Sequence, residues 1–420
     1  MIRISKNNRN CFGEIRLPAS KSISNRLLIL QFSYGESLKI NNLSDADDTI
    51  LLSSALDLIR QYQLRGDTGL LRIDARNAGS VMRFLVPLLS FTRGHYFLTG
   101  SERMKERPIG ALVEALRETG AEIDYLENVG FPPLLIRGRA ITVRRICLDA
   151  SVSSQFVTAL LLLSPVLEEG LTLELTGRPV SWPYVNMTTG ILTDLGVHVI
   201  LQQNAIWVYH KKELKAEVTV ESDWSAASFW YCMLSMAEKG EIFFPQLRKS
   251  GLQGDQQVST FFSPLGVETL EEKKGIRIIK KEKAGGSFHA DFASHPDLAL
   301  PVILACGAAG IPGSFTGLEQ LRIKESDRVD ALAAGLLKAG IVLREESMGT
   351  WQLSGHLTDP CELFIQDHDD HRVAMTFACL AIKGFTINLK DPDVVNKSYP
   401  GFWNDLAGTG FIVSPHVEKI

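Results

Sequence analysis

Apolar runs recur along the chain, and each opens on a short polar stretch. Ser22-Ile23-Ser24-Asn25-Arg26 leads into an apolar run at 27–30, and Ser80 leads into a mostly apolar one at 81–86. Ser153-Ser154-Gln155 leads into 156–163, Ser225-Ala226-Ala227-Ser228 into 229–234, Asp297 into 298–306, and Asp370-His371-Arg372 into 373–375. Such stretches read as helices that start on polar residues and are apolar nearly all round, hence buried. After a short first interval the starts recur at roughly 72 residues, which marks an internal repeat.

A second series interleaves with the first. Gly120, Gly196, Gly266, Gly340 and Gly410 each follow an amphipathic stretch, and Gly66 is a degenerate first member. A glycine there suits a helix C-terminus, where the chain turns through the left-handed region. Most are followed by two β-rich stretches, most clearly 197–201 and 205–209. Each unit thus reads as strand, apolar helix, strand, amphipathic helix and two strands. The expected fold is α/β, built of six βαβαββ repeats with the apolar helices inside a ring of strands. Their polar N-termini would gather at one end of each domain. Helix N-termini carry unsatisfied N–H groups and partial positive charge, so such a cluster is an anion site.

Composition narrows the class. A chain of 420 residues suggests two or three domains. A formal net charge of −4 argues against a general nucleic-acid binder, which carries a basic field. The longest apolar run, 156–167, is too short to span a bilayer and contains Ser164 and Pro165. The first eight residues have no apolar signal core, and the six cysteines lie far apart with no Cys-x-x-Cys. We expect reduced thiols, a cytoplasmic protein and neither a membrane nor a nucleic-acid partner.

Against that acidic background, cations concentrate at or near the helix starts: Lys21, Arg26, Arg83, Arg107, Lys324, Arg328, Arg372 and Lys397. Lys324 and Arg328 are four residues apart, which predicts a shared helix face. Arg103, Lys105 and Arg107 alternate along one segment. Cations so placed suit small multi-anionic ligands, and the arginine fork matches phosphate and carboxylate. Each set, without its ligand, is expected to repel itself. Candidate acid–base groups lie among them: Asp297, Glu325 and Asp370 beside His371. Taken alone, Asp297 reads equally as a helix N-cap. Asp367-His368-Asp369-Asp370-His371 has metal-ligand residue types, but no second cluster supports it, and we read no metal site. There is no phosphate-binding glycine loop of the nucleotide-binding kinds.

These segments, taken together, resemble the enolpyruvyl transferase family. The resemblance rests on Leu17-Pro18-Ala19-Ser20-Lys21-Ser22-Ile23-Ser24-Asn25-Arg26, Asn77-Ala78-Gly79-Ser80-Val81-Met82-Arg83, Arg103-Met104-Lys105-Glu106-Arg107-Pro108, Ser151-Val152-Ser153-Ser154-Gln155-Phe156, Gln253-Gly254-Asp255, Arg322-Ile323-Lys324-Glu325-Ser326-Asp327-Arg328 and Asp370-His371-Arg372-Val373-Ala374-Met375. They span nearly the whole chain. The resemblance implies a two-domain inside-out α/β barrel with three repeats per domain and a ligand cleft between the domains. One domain would comprise residues 1–20 plus 222–420, on the phosphoenolpyruvate side with the catalytic carboxylates. The other would be 21–221, on the shikimate 3-phosphate side. It also implies transfer of the enolpyruvyl group from phosphoenolpyruvate to the 5-hydroxyl of shikimate 3-phosphate, with release of phosphate, by a monomer without metal or organic cofactor.

By the same resemblance, Ser22, Arg26, Ser153, Ser154, Gln155, Ser181, Tyr184, Asp297, Gln320 and Lys324 would hold shikimate 3-phosphate. Lys21, Gly79, Arg107, Gln155, Arg328, Arg372 and Lys397 would hold phosphoenolpyruvate. Asn77, Asp370 and His371 would support them. Asp297 would be the base, with Glu325 and Lys21 as proton-transfer partners. The chain departs from the family pattern at Gln320, Trp182, Arg76 and Phe84, and its stretch between Asp48 and Asn77 is short enough to have lost an element of the first repeat. Two alternatives stand beside this reading. A UDP-N-acetylglucosamine enolpyruvyl transferase would carry Asn after the lysine, where Ser22 stands, and a cysteine near Arg107, where there is none. A non-catalytic polyanion-binding repeat protein would need neither Asp297 nor Glu325.

Overall fold

A computed structural model describes residues 1–415 apart from Arg178 and Ala284. The chain divides into two compact units, one of residues 1–20 with 221–420 and one of residues 21–220. The apolar runs form the helices Lys21–Tyr34, Gly79–Phe91, Ser154–Leu163, Trp224–Met236, Ala299–Ala308 and His371–Ala378. They are buried along most of their length, as their all-round apolar character requires. The amphipathic series forms Asp47–Leu64, Gly110–Glu118, Trp182–Asp194, Val258–Phe262, Arg328–Lys338 and Phe402–Gly408. After them Gly66, Gly120, Gly196, Gly266, Gly340 and Gly410 all adopt positive φ, between 63° and 92°. A side chain is disfavoured there, which is why the punctuation is glycine.

Among the described residues the strands form five four-stranded sheets and one two-stranded sheet. A complete repeat is seen in the sheet of Phe288–Asp291, Gly313–Thr316, Thr350–Gly355 and Ile341–Ser347, in that spatial order. Its first two strands pair in parallel across the apolar helix, and its last two form an antiparallel hairpin. The first repeat departs from this plan. Leu38–Asn41 pairs only with Ala216–Thr219, and the helix ending at Leu64 is followed at Leu70 by the first strand of the next repeat. The intervening residues are too few for a hairpin, so five repeats are complete and one lacks its last two strands.

Strand sharing ties distant parts of the chain into these sheets. Ile2–Ser5 lies between Thr386–Leu389 and Ile412–Pro415, and so supplies the last strand of the last repeat. Asn10–Glu14 pairs in parallel with Lys239–Pro245 and supplies the first strand of the repeat that contains the helix Trp224–Met236. In the unit of residues 21–220, Ala216–Thr219 does the same for Leu38–Asn41. Among the described residues no helix is long and apolar enough to cross a membrane.

Candidate active site

In the unit of residues 21–220, the starts of three buried helices carry Lys21, Ser22 and Arg26, then Gly79 and Ser80, then Ser153 to Gln155. Lys21 Nζ lies 2.9 Å from Asp48 Oδ2, an ion pair with both partners largely buried. Asn25 Nδ2 donates to Ser80 Oγ at 2.9 Å and links the first two starts. Ser153 caps its helix by accepting from the Gln155 N–H. Gly79 has a steric reason. A Cβ there would meet the Arg107 guanidinium at 2.6 Å, so only glycine lets that side chain lie over the helix start. Arg107 Nη1 donates to the Asn77 carbonyl at 3.2 Å.

Arg26 is turned into the bundle rather than toward its surface. Its guanidinium donates to Thr188 Oγ1, Thr158 Oγ1 and the carbonyls of Ser22 and Tyr184. Burial pushes it down to about 10. The ring of Phe84 lies 5.7 Å from the Arg26 guanidinium, a cation–π contact that gives this departure from the family pattern a local role. Ser181 precedes the helix Trp182–Asp194 with φ of +52°, and Trp182 is its first residue. Arg103 and Lys105 instead pair with Glu106, Glu102 and Glu127 at the surface. Arg107, the third of the alternating cations, reaches the start of Gly79–Phe91.

In the other unit the cations and carboxylates interlock. Arg328 is 2% exposed and faces three carboxylates: Asp370 Oδ2 at 2.8 Å, Glu325 Oε2 at 2.8 Å and Asp297 Oδ1 at 3.2 Å. Arg372 Nη2 donates to Asp297 Oδ2 at 2.9 Å, and Lys397 Nζ lies 3.5 Å from Glu325 Oε1. Ser326 Oγ donates to Asp370, which also caps its helix by accepting from the Arg372 N–H. Burial would lower the affinity of Arg328 for its proton, but Asp370, Glu325 and Asp297 outweigh it and the guanidinium is held charged. The expectation of mutually repelling cations is corrected here, because carboxylates are interleaved with them. An anionic ligand must compete with those carboxylates.

Two other readings change. Lys324 and Arg328 do not share a helix face, since the helix begins at Arg328 and Lys324 sits in extended backbone before it. The residue directly before the helix Ala299–Ala308 is Leu298, not Asp297, and the Asp297 carboxylate accepts from Arg328 and Arg372. Gln320 Nε2 donates to the Ala293 carbonyl at 2.8 Å, which anchors the turn carrying it. His371 is buried beside Asp370, with Nδ1 at 3.7 Å from Oδ1.

Asp255 belongs to this cluster, although sequence reasoning assigned it no role. It is buried, accepts from Ser225 Oγ, and lies close enough to Asp297 for their charges to interact. Burial pushes its carboxyl up to about 7, and Asp297 adds to the rise against the opposing pull of Arg372 and the Ser225 bond. The segment Gln253-Gly254-Asp255 was the available signal, since a buried acid needs a partner. Asp48, the partner of Lys21, carried no comparable signal.

Two solved structures share this architecture over almost the full chain. They are an EPSP synthase from Acinetobacter baumannii (TM-score 0.74, 21% identity, 99% of each chain covered) and the enolpyruvyl transferase NikO from Streptomyces tendae (0.72, 16%, 98% of each). The fold is therefore that of the enolpyruvyl transferases, the two-domain inside-out α/β barrel. Sequence similarity is more specific. A 3-phosphoshikimate 1-carboxyvinyltransferase from Bacteroides fragilis (strain YCH46) is 43% identical over 401 residues, covering 94% of this chain and 95% of the relative. Residues 6–406 match the family described as EPSP synthase (3-phosphoshikimate 1-carboxyvinyltransferase), and the chain belongs to that family.

Proposed function

We propose that this protein transfers the enolpyruvyl group of phosphoenolpyruvate to the 5-hydroxyl of shikimate 3-phosphate and releases inorganic phosphate, a step of the shikimate pathway toward aromatic amino acids. The observation that carries the chemistry is Asp297 held between Arg328 and Arg372 at 3.2 and 2.9 Å, a carboxylate placed among cations. The family assignment carries the substrates. Both substrates bear phosphate and carboxylate, which the arginines and lysines of each unit can bind.

In the proposed reaction a proton is added to the phosphoenolpyruvate methylene carbon while the 5-hydroxyl oxygen bonds to C2. The hydroxyl proton passes to Asp297. The tetrahedral adduct then loses phosphate as a proton leaves the former methylene carbon, which restores the enol ether. Glu325 and Lys21 are the proposed proton-transfer groups there, each already held by an ionic partner. Ser22, Arg26, Ser153, Ser154, Gln155, Ser181, Tyr184, Gln320 and Lys324 are proposed to receive shikimate 3-phosphate. Gly79, Arg107, Gln155, Arg328, Arg372 and Lys397 are proposed to receive phosphoenolpyruvate. Asn77, Asp370 and His371 position them. The six cysteines are unbridged thiols, which fits the cytoplasm. The test is phosphate release from phosphoenolpyruvate in the presence of a chelator. Release that requires shikimate 3-phosphate supports the reading; release without it, or none with both substrates, overturns it.

A further inference from the structure

Asp297 and Asp370 sit at the N-terminal ends of buried helices. The opposite ends of those helices carry a second charged feature. The helices Trp224–Met236 and Ala299–Ala308 end there, as does the turn Cys379–Lys383 that continues His371–Ala378. A cavity of about 730 Å³ opens among these ends, and its charged lining is Lys280, Lys281, Lys283, Lys383, Glu238 and Glu282.

Part of this lysine set has a structural duty. Lys280 Nζ donates to the Ser235 carbonyl, and Lys283 Nζ to the Ala309 carbonyl at 2.9 Å, so each satisfies a helix end. Capping uses one of the three N–H donors of each ammonium. Lys281 is paired with Glu268 at 3.3 Å, and Glu238 with Arg9 at 3.5 Å, so those partners largely cancel. Lys280, Lys283 and Lys383 remain against Glu282. Their charges act on one another: Lys280 is pushed down to about 8 by burial and then by Lys283 and Lys383, while Lys383 is lowered by burial, Arg9 and Lys283. Half-buried ammonium groups that repel one another gain from an anion between them.

We propose that this cavity is a binding site for a small polyanion bearing two or more phosphate or carboxylate groups, separate from the catalytic cluster. Lys280 and Lys383 supply its charge, with Lys283 at the rim. The site needs neither substrate, so it stands or falls apart from the proposed reaction.

Titration calorimetry with pyrophosphate and, separately, citrate tests it on the full chain. We expect saturable binding of at least one probe, weakened by added chloride. Pyrophosphate alone would assign phosphate recognition, and citrate alone carboxylate recognition; binding of both would assign recognition by charge. The double variant Lys280→Gln, Lys383→Gln should bind at least about tenfold more weakly, since two charge-assisted contacts are lost. Its phosphate-release kinetics with both substrates should be unchanged. Arg372→Lys, in the catalytic cluster, should leave the binding intact. Circular dichroism checks folding, and Lys383→Gln alone, with a smaller loss, serves if the double variant does not fold. No saturable binding of either probe, unchanged binding in the lysine variants, or loss of binding in Arg372→Lys would each overturn the proposal.

Discussion

Asp297 and Asp255 show how one environment gives two carboxylates different duties. Asp297 faces two arginines, whereas Asp255 is buried and accepts from Ser225 Oγ. Asp297→Asn keeps the shape and removes the proposed base. Turnover should fall by about 10²–10⁴-fold while the protein stays folded; steady-state kinetics with near-normal kcat would reduce Asp297 to a structural partner of the arginines. Asp255 predicts a pH effect with a definite sign. Its folded value is raised to about 7 from an unfolded value of 3.8, so the native state holds the extra proton. Stability from this group is therefore highest at low pH and falls as pH rises from about 4 to about 7, at about 1.4 kcal/mol per unit. Urea midpoints at about pH 5 and about pH 8 should drop more in the wild type than in Asp255→Asn. Equal drops would remove Asp255 as the cause. Arg76 is a third case. It takes φ of +46°, in the left-handed region that favours glycine. Arg76→Gly should raise stability by about 0.5–1 kcal/mol, seen as a higher Tm, because relieved strain exceeds the added unfolded-chain freedom.

At the scale of elements, packing reverses a common propensity rule. Gly335 lies within the helix Arg328–Lys338, where alanine would ordinarily be preferred by about 1 kcal/mol. A Cβ at Gly335 would meet the Phe377 ring at 2.1 Å, and Phe377 is fully buried in the helix His371–Ala378. Gly335→Ala should thus destabilise by about 1–3 kcal/mol through overpacking, despite the gain in propensity. Because these helices carry Arg328 and Arg372 at their starts, the same change should lower activity. Chemical denaturation measures the first effect, and an unchanged or raised midpoint would show that Phe377 moves aside freely.

At the scale of the molecule, the sheet partners are far apart in sequence. Ile2–Ser5 hydrogen-bonds on both sides to strands near the other end of the chain, and Ile2 and Ile4 are buried. Deleting residues 1–5 removes two buried isoleucines, takes from Ile412–Pro415 its partner strand among the described residues, and exposes one edge of Thr386–Leu389, which keeps Glu362–Ile365 on its other side. The burial alone is worth about 3–6 kcal/mol, and Tm should fall on the order of 10 °C for a unit of this size. A thermal melt that does not change would mean that the last repeat closes without its N-terminal strand.

Much of this was legible in the sequence because it is local. The polar starts, the apolar bodies and the glycines at positive φ encode the repeat within a few residues of each helix, and the missing hairpin of the first repeat shows as a short interval before Leu70. The basic motifs likewise fixed which side chains stand near helix starts. Tertiary structure alone decided what those side chains face. That Arg26 turns inward to Thr158 and Thr188, that Arg328 gathers Asp297 and Asp370, and that Asp255 joins Asp297 all depend on contacts between segments far apart in the sequence. The same holds for Ile2–Ser5 in the last sheet. A four-residue strand has no local signal for its partner; hydrogen bonding and burial select it only when the whole unit assembles.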